Sequence, residues 1–131
     1  MDEDITAEQV SARWFIDLNW YQQSNRSFLA MAQSCLCPKC WGKLKEDTSA
    51  TDLVATVKDC CSKAPGFITR ELPVLESIFR LFLANGNQPL DEEELGKQLS
   101  EWRGNAYHIS PQALSRLLKS DRYYGLSQAE A

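Results

Sequence analysis

Cys37-Pro38-Lys39-Cys40-Trp41-Gly42 constrains this chain more than any other stretch. Two thiols separated by two residues chelate one ion from a tight turn. Pro38 stiffens that turn, and Gly42 supplies the positive φ the backbone needs just beyond it. Such a knuckle offers two donors, and a closed tetrahedral site takes four. Cys60-Cys61 follows after a 19-residue gap, and Cys35 stands two positions before Cys37. The expected donor set is Cys37, Cys40, Cys60 and Cys61, with Cys35 as the substitute. Adjacent Cys60 and Cys61 reach one ion together only if a helix ends between them. In a continuing helix their side chains diverge by about 100°, and Cys35 then becomes the fourth donor. Pro65-Gly66 nearby favours an ending.

Five cysteines are an odd number. A disulfide framework would leave one thiol over and would need an oxidising compartment. The opening Met1-Asp2-Glu3-Asp4 is acidic where an export signal is basic, so the expected compartment is the cytoplasm. Metal ligation accounts better for clustered thiols there. Zn2+ is expected ahead of an iron–sulfur cluster, which also uses four thiolates, because of the proline inside the chelate turn and the glycine after it. With no histidine or acid in the knuckle, the metal is expected to stabilise folding and to perform no chemistry. The single histidine, His108, reads as a surface or turn residue.

A chain of 131 residues fits one domain or two very small ones, and a 44% apolar fraction with four Trp, five Phe and four Tyr supports a real core. The net charge of −4 argues against a general polyanion coat. Of the spans 1–34, 35–70 and 71–131, only the middle one has more bases than acids. No apolar run approaches the roughly 20 residues of a membrane span.

The first helix is expected from Thr6 to about Gln23, capped by Thr6 with Gln9 three residues on. Val10, Trp14, Leu18 and Tyr21 recur along it at helical spacing, widened by Phe15, Ile16 and Trp20. This aromatic stripe reads as core; the competing reading is a partner-binding patch around Trp14, Trp20 and Tyr21. A second helix is expected over Ser27–Ser34 and a third from Thr51 to about Cys61, each too short to be stable alone. The C-terminal third has clearer signals. A helix begins at Thr69 or Glu71 with Pro73 in its first turn and stops at Asn85-Gly86. Gln88-Pro89-Leu90 is extended. Asp91 then caps a helix with Glu94 at the capping-box position, and Leu95, Leu99 and Trp102 face inward. Ser110-Pro111 opens a last helix with Leu114, Leu117 and Leu118 buried, and Tyr123-Tyr124-Gly125-Leu126 is a candidate strand.

This order of helix, short strand, helix, turn, helix, strand over Leu72–Leu126 resembles the winged-helix variant of helix-turn-helix domains. Only five residues follow Leu126, so a second wing strand is expected to be missing or very short. The segment Cys37–Gly42 resembles the zinc knuckles of treble-clef and ribbon folds, although those close with a second Cys-x-x-Cys. The winged-helix resemblance implies that the last helix is the reader, with Arg116, Lys119 and Arg122 spaced three apart as nucleic-acid-binding residues. Lys39, Lys43, Lys45, Lys58 and Lys63 add positive charge upstream. The acids at residues 91–94 favour a protein partner instead, so DNA and protein both stay open.

The expected fold is mainly α: an N-terminal helical four-cysteine part, residues 1–68, packed on a winged-helix-like module, residues 69–131. The expected function is that of a zinc-stapled binding protein, a transcription-related regulator or adaptor with no membrane association. The alternative is a thiol or iron–sulfur redox sensor using the same cysteines. An enzyme is not expected, because there is no glycine-rich phosphate loop, and His108 is the sole histidine available as a base.

Overall fold

A computed structural model of the chain describes residues 13–41, 48–64, 66–104 and 109–129. The expectations placed on Thr6–Val10, Gly42, Lys43, Lys45, Pro65 and His108 lie outside these residues. The described elements are β1 (Arg13–Ile16), α1 (Leu18–Gln23), α2 (Phe28–Gln33), α3 (Pro38–Trp41), α4 (Ala50–Asp59), a 3₁₀ turn (Cys61–Lys63), α5 (Val74–Ala84), β2 (Leu90–Asp91), α6 (Glu92–Arg103), α7 (Pro111–Ser120) and β3 (Leu126–Ala129). The chain is mainly helical, with one small antiparallel sheet of strand order β2-β1-β3.

β1 corrects the expected first helix. Arg13–Ile16 is extended, with Trp14 and Ile16 buried and Arg13 exposed, a period of two rather than 3.6. Bulky aromatic and β-branched residues at 14–16 suit a pleated surface. Trp14 pairs with Leu90 on one side and with Gln128 on the other. Asp17 then accepts from the Asn19 N–H and starts a helix only at Leu18. Just ahead of β2, Asn87 extends the pairing with its side chain. Its Oδ1 accepts from the Ile16 N–H at 2.8 Å and its Nδ2 donates to the Ile16 carbonyl at 2.9 Å. Asn87 holds a left-handed φ of 62° to do so.

The aromatic stripe is core. Trp14 and Tyr21 are 3% and 2% exposed, and Trp20 is partly buried, so the competing surface patch is not formed. Tyr21 donates to the Tyr124 carbonyl at 2.6 Å and stacks edge-on against Phe28. Burial first, and the nearby Asp121 charge second, push the Tyr21 phenol well above its ordinary range.

Two further boundaries move for local reasons. α5 begins at Val74 with Pro73 as its cap, because a residue preceding proline avoids the helical region and Leu72 stays in a turn. Residues 121–125 form a turn: the Asp121 carboxylate accepts from the Tyr123, Tyr124 and Leu126 N–H groups, which delays the strand to Leu126. Gly125 sits in that turn at φ 71°, where a Cβ would lie 2.9 Å from the Trp20 ring. Trp102 is 38% exposed, lying on the last turn of α6 against Phe67 with ring centroids 6.1 Å apart. Leu117 is half-buried where full burial was expected. The caps at Asp91 and Ser110 stand as read, while Ser27 lies just before α2 as its cap, each of the three side chains accepting from the N–H three residues on. The Glu94 carboxylate turns to Gln98 rather than back to the cap.

One apolar cluster runs from Trp14 to Leu126 and takes in Cys35, Cys40 and Cys61. Among the described residues no helix is long and apolar enough to cross a membrane. Replacing Asn87 with Ala strands both backbone groups of Ile16, so Asn87→Ala is expected to cost about 2–4 kcal/mol in urea unfolding. A loss below about 0.5 kcal/mol would show that water replaces the amide freely.

Candidate metal centre

The thiols are delivered by two short helical segments. α2 is capped by Ser27 and ends at Ser34, after which Cys35 and Leu36 continue as turns through bonds to the Ala32 and Gln33 carbonyls. Cys37 precedes the single helical turn α3, where Pro38 occupies the first position at no hydrogen-bond cost and the Cys40 N–H bonds the Cys37 carbonyl at 3.0 Å. α4, capped by Ser49, buries Leu53, Val54 and Val57 and ends at Asp59. At Cys60 the backbone leaves the helix with φ −129° and ψ −63°, and the 3₁₀ turn starts at Cys61. The helix therefore ends before the cysteine pair rather than between its two members.

Arg80 of α5 fixes the base of this arrangement. Its guanidinium donates to the Ser34 carbonyl at the end of α2, to the Phe67 carbonyl, and to Glu76 at 3.0 Å. The knuckle and the loop after the 3₁₀ turn thus hang from one buried helix.

The Sγ atoms of Cys37, Cys40 and Cys60 all lie within 4.8 Å of one another. Those of Cys37 and Cys60 are 3.8 Å apart. A tetrahedral ion with sulfurs at about 2.3 Å has sulfur–sulfur edges of about 3.8 Å. This cysteine cluster can hold a metal ion. Cys61 stands outside the mutual triplet but adjoins it: its sulfur accepts the Cys37 N–H at 3.2 Å, and its side chain is fully buried. Cys35 faces Ser34 at 3.9 Å and is buried beneath Arg80. All five cysteines are free thiols.

Electrostatics within the cluster is uneven. Burial opposes ionisation of Cys37, but the Cys40 amide and the neighbouring thiols of Cys61, Cys40 and Cys60 outweigh it, lowering the thiol to about 7. Hydrogen bonds to Cys40 and then to Cys37 favour the protonated form of Cys60 and raise it. Burial raises Cys61, and burial likewise raises Cys35. The first proton lost from the four-thiol group is therefore shared, with its charge centred on Cys37.

The C-terminal basic residues are less concentrated than their spacing suggests. Arg116 and Lys119 are exposed on α7. Arg122 lies beyond the helix, where its Nη1 donates to the Lys119 and Asp121 carbonyls, so it closes the helix end instead of extending a helical row. A groove of about 440 Å³ beside it is lined by Trp20, Lys119, Arg122 and Gln128, among others. Spacing gave no sign of Arg26, which sits between the Trp20 and Tyr123 rings at 5.5 and 5.0 Å. Its aromatic partners come from opposite ends of the chain, so no local pattern links them. Comparison with protein-family models, curated proteins and solved structures finds no match to this chain.

In metal-free protein, iodoacetamide labelling of Cys37 is expected to reach half its plateau near pH 7, following the thiolate, as the Cys37 thiol is lowered to about 7. Cys60 and Cys61 should label at higher pH. Peptide mapping across a pH series checks this, and equal labelling of all four thiols at neutral pH would contradict the shared-proton description.

Proposed function

We propose that this chain is a zinc-stapled binding protein, a small transcription-related regulator or adaptor whose C-terminal part works as a winged-helix-like module. The observation that carries the metal half is the cysteine cluster, with its 3.8 Å sulfur–sulfur edge between segments 23 residues apart. Cys37, Cys40 and Cys60 supply three donors, and buried Cys61 turns inward to supply the fourth. One zinc fits this spacing better than an iron–sulfur cluster, whose own metal and sulfide core would hold the cysteine sulfurs further apart. The ion contributes folding free energy by tying α3 to the end of α4, two segments too short to persist alone.

The C-terminal half of the reading draws on element order. α5, β2, α6, α7 and β3 follow one another as a winged helix requires, and β1 pairs alongside β3 where a second wing strand would otherwise lie. In this reading α7 carries the contact surface, with Arg116 and Lys119 on its exposed side and Arg122 at its end. DNA and a protein partner both fit such a surface.

Elemental analysis with a visible spectrum, on protein purified without oxygen, tests the metal. One colourless zinc per chain is expected; iron with a brown chromophore would favour the redox-sensor alternative, and no metal would sink the staple. Cys37→Ser is expected to release the ion and to lower the melting temperature by roughly 10 °C or more. For the surface, Arg116→Glu with Lys119→Glu should abolish binding to a duplex DNA probe at unchanged melting temperature. Binding that survives both changes would remove α7 as the reader.

A further inference from the structure

The four clustered thiols are unequal in access. Cys40 and Cys61 are buried, whereas Cys37 and Cys60 are partly exposed. The exposed two are also the pair with sulfurs 3.8 Å apart. Neither sits inside a helix: Cys37 precedes α3, and Cys60 occupies the irregular residue that ends α4. A disulfide needs its sulfurs at about 2.05 Å, with the side chains free to adopt the required torsion. The pair thus combines proximity, access and backbone freedom on one edge of the cluster, and Cys40 and Cys61 lack the access.

We propose that Cys37 and Cys60 form an oxidation site for a hydroperoxide, closing to a disulfide that dismantles the donor set. This rests on the four-cysteine zinc reading above and adds its regulation. In the donor set both sulfurs are thiolates. Attack of the Cys37 sulfur on the peroxide breaks the O–O bond and leaves a sulfenic acid and a hydroxide. The Cys60 thiolate then attacks that sulfur, forming the S–S bond and expelling a second hydroxide. Two electrons pass from the two sulfurs to the peroxide, and solvent protons turn both hydroxides into water. Cys40 and Cys61 remain as a buried pair, too few donors for a closed tetrahedral site. Cys35, set apart against Ser34, takes no part.

The test uses the full chain loaded with one equivalent of zinc under argon. Dilute hydrogen peroxide is added with a chromogenic chelator present, and the product is digested with trypsin, which cuts after Lys39 and separates Cys37 from Cys40. The expected result is loss of the bound zinc in step with a linked peptide joining Cys37 to Asp59–Lys63, its bond placed on Cys60 rather than Cys61 by tandem mass spectrometry, reversed by dithiothreitol and fresh zinc. Cys35→Ser should respond as the native chain does and removes ambiguity from the peptide carrying both Cys35 and Cys37. A zinc-loaded chain that keeps its zinc, or that cross-links other thiols, overturns this proposal alone. A chain that takes up no zinc overturns the donor-set reading and this proposal with it.

Discussion

The bracket that Asn87 places on Ile16 is the contact on which most of this structure depends. It joins β1 to the turn that ends α5, 71 residues further along the chain. The Asn87 N–H itself bonds the Phe82 carbonyl at 2.6 Å, so one residue fixes the end of the central helix, the start of β2 and the edge of β1. α5 buries Ile78, Phe79, Leu81, Phe82 and Leu83, and α4 packs on it through Leu53, Val54 and Val57. The position of Cys60 and Cys61 at the end of α4 follows from that packing. A side-chain amide can serve in this way because it presents a donor and an acceptor at nearly the spacing of a peptide group. Leaving Ile16 unpaired, with a fully buried side chain, would cost more than holding Asn87 at a positive φ.

Much of this was legible where the physics is local. The caps at Asp91 and Ser110, and the stop at Asn85-Gly86, are set by hydrogen bonds spanning three or four residues, and each stands where the sequence placed it. β1 was not legible, because Trp14, Leu18 and Tyr21 fit a helical period as well as Trp14 and Ile16 fit an extended one. The choice between them is made by Leu90, Leu126 and Asn87, which lie far away in sequence. The same holds for Arg26 and its two rings. At the metal centre, the grouping of Cys37, Cys40 and Cys60 followed from spacing, while the exclusion of Cys35 depends on Arg80 and Ser34, which no spacing rule connects to it.

The metal half and the C-terminal half are not separately built. A shared apolar cluster runs through both, and the sheet takes its central strand from upstream of the cysteines and its two outer strands from downstream. Arg80 adds a polar tie, since its guanidinium holds the carbonyl at the end of α2 while its helix forms the floor beneath α4. The knuckle therefore gains its position from the core even without an ion. Where α3 meets the 3₁₀ turn, the Cys37 N–H bonds the Cys61 sulfur, and the Cys37 and Cys60 sulfurs lie 3.8 Å apart.

Charge placement points the same way. A zinc ion held by four thiolates carries a net negative charge, and exposed Lys39, Lys58 and Lys63 lie within three residues of a cluster cysteine. The acids Glu92, Glu93 and Glu94 stand in the first turn of α6 and Lys119 in the last turn of α7, where each complements its helix dipole. Arg122 spends part of its guanidinium on the carbonyls that end α7. Arg116, by contrast, is exposed on α7 away from both helix ends. In the proposed contact-surface reading, Arg116 is therefore the base, more than its two neighbours in spacing, whose charge is left to meet a partner.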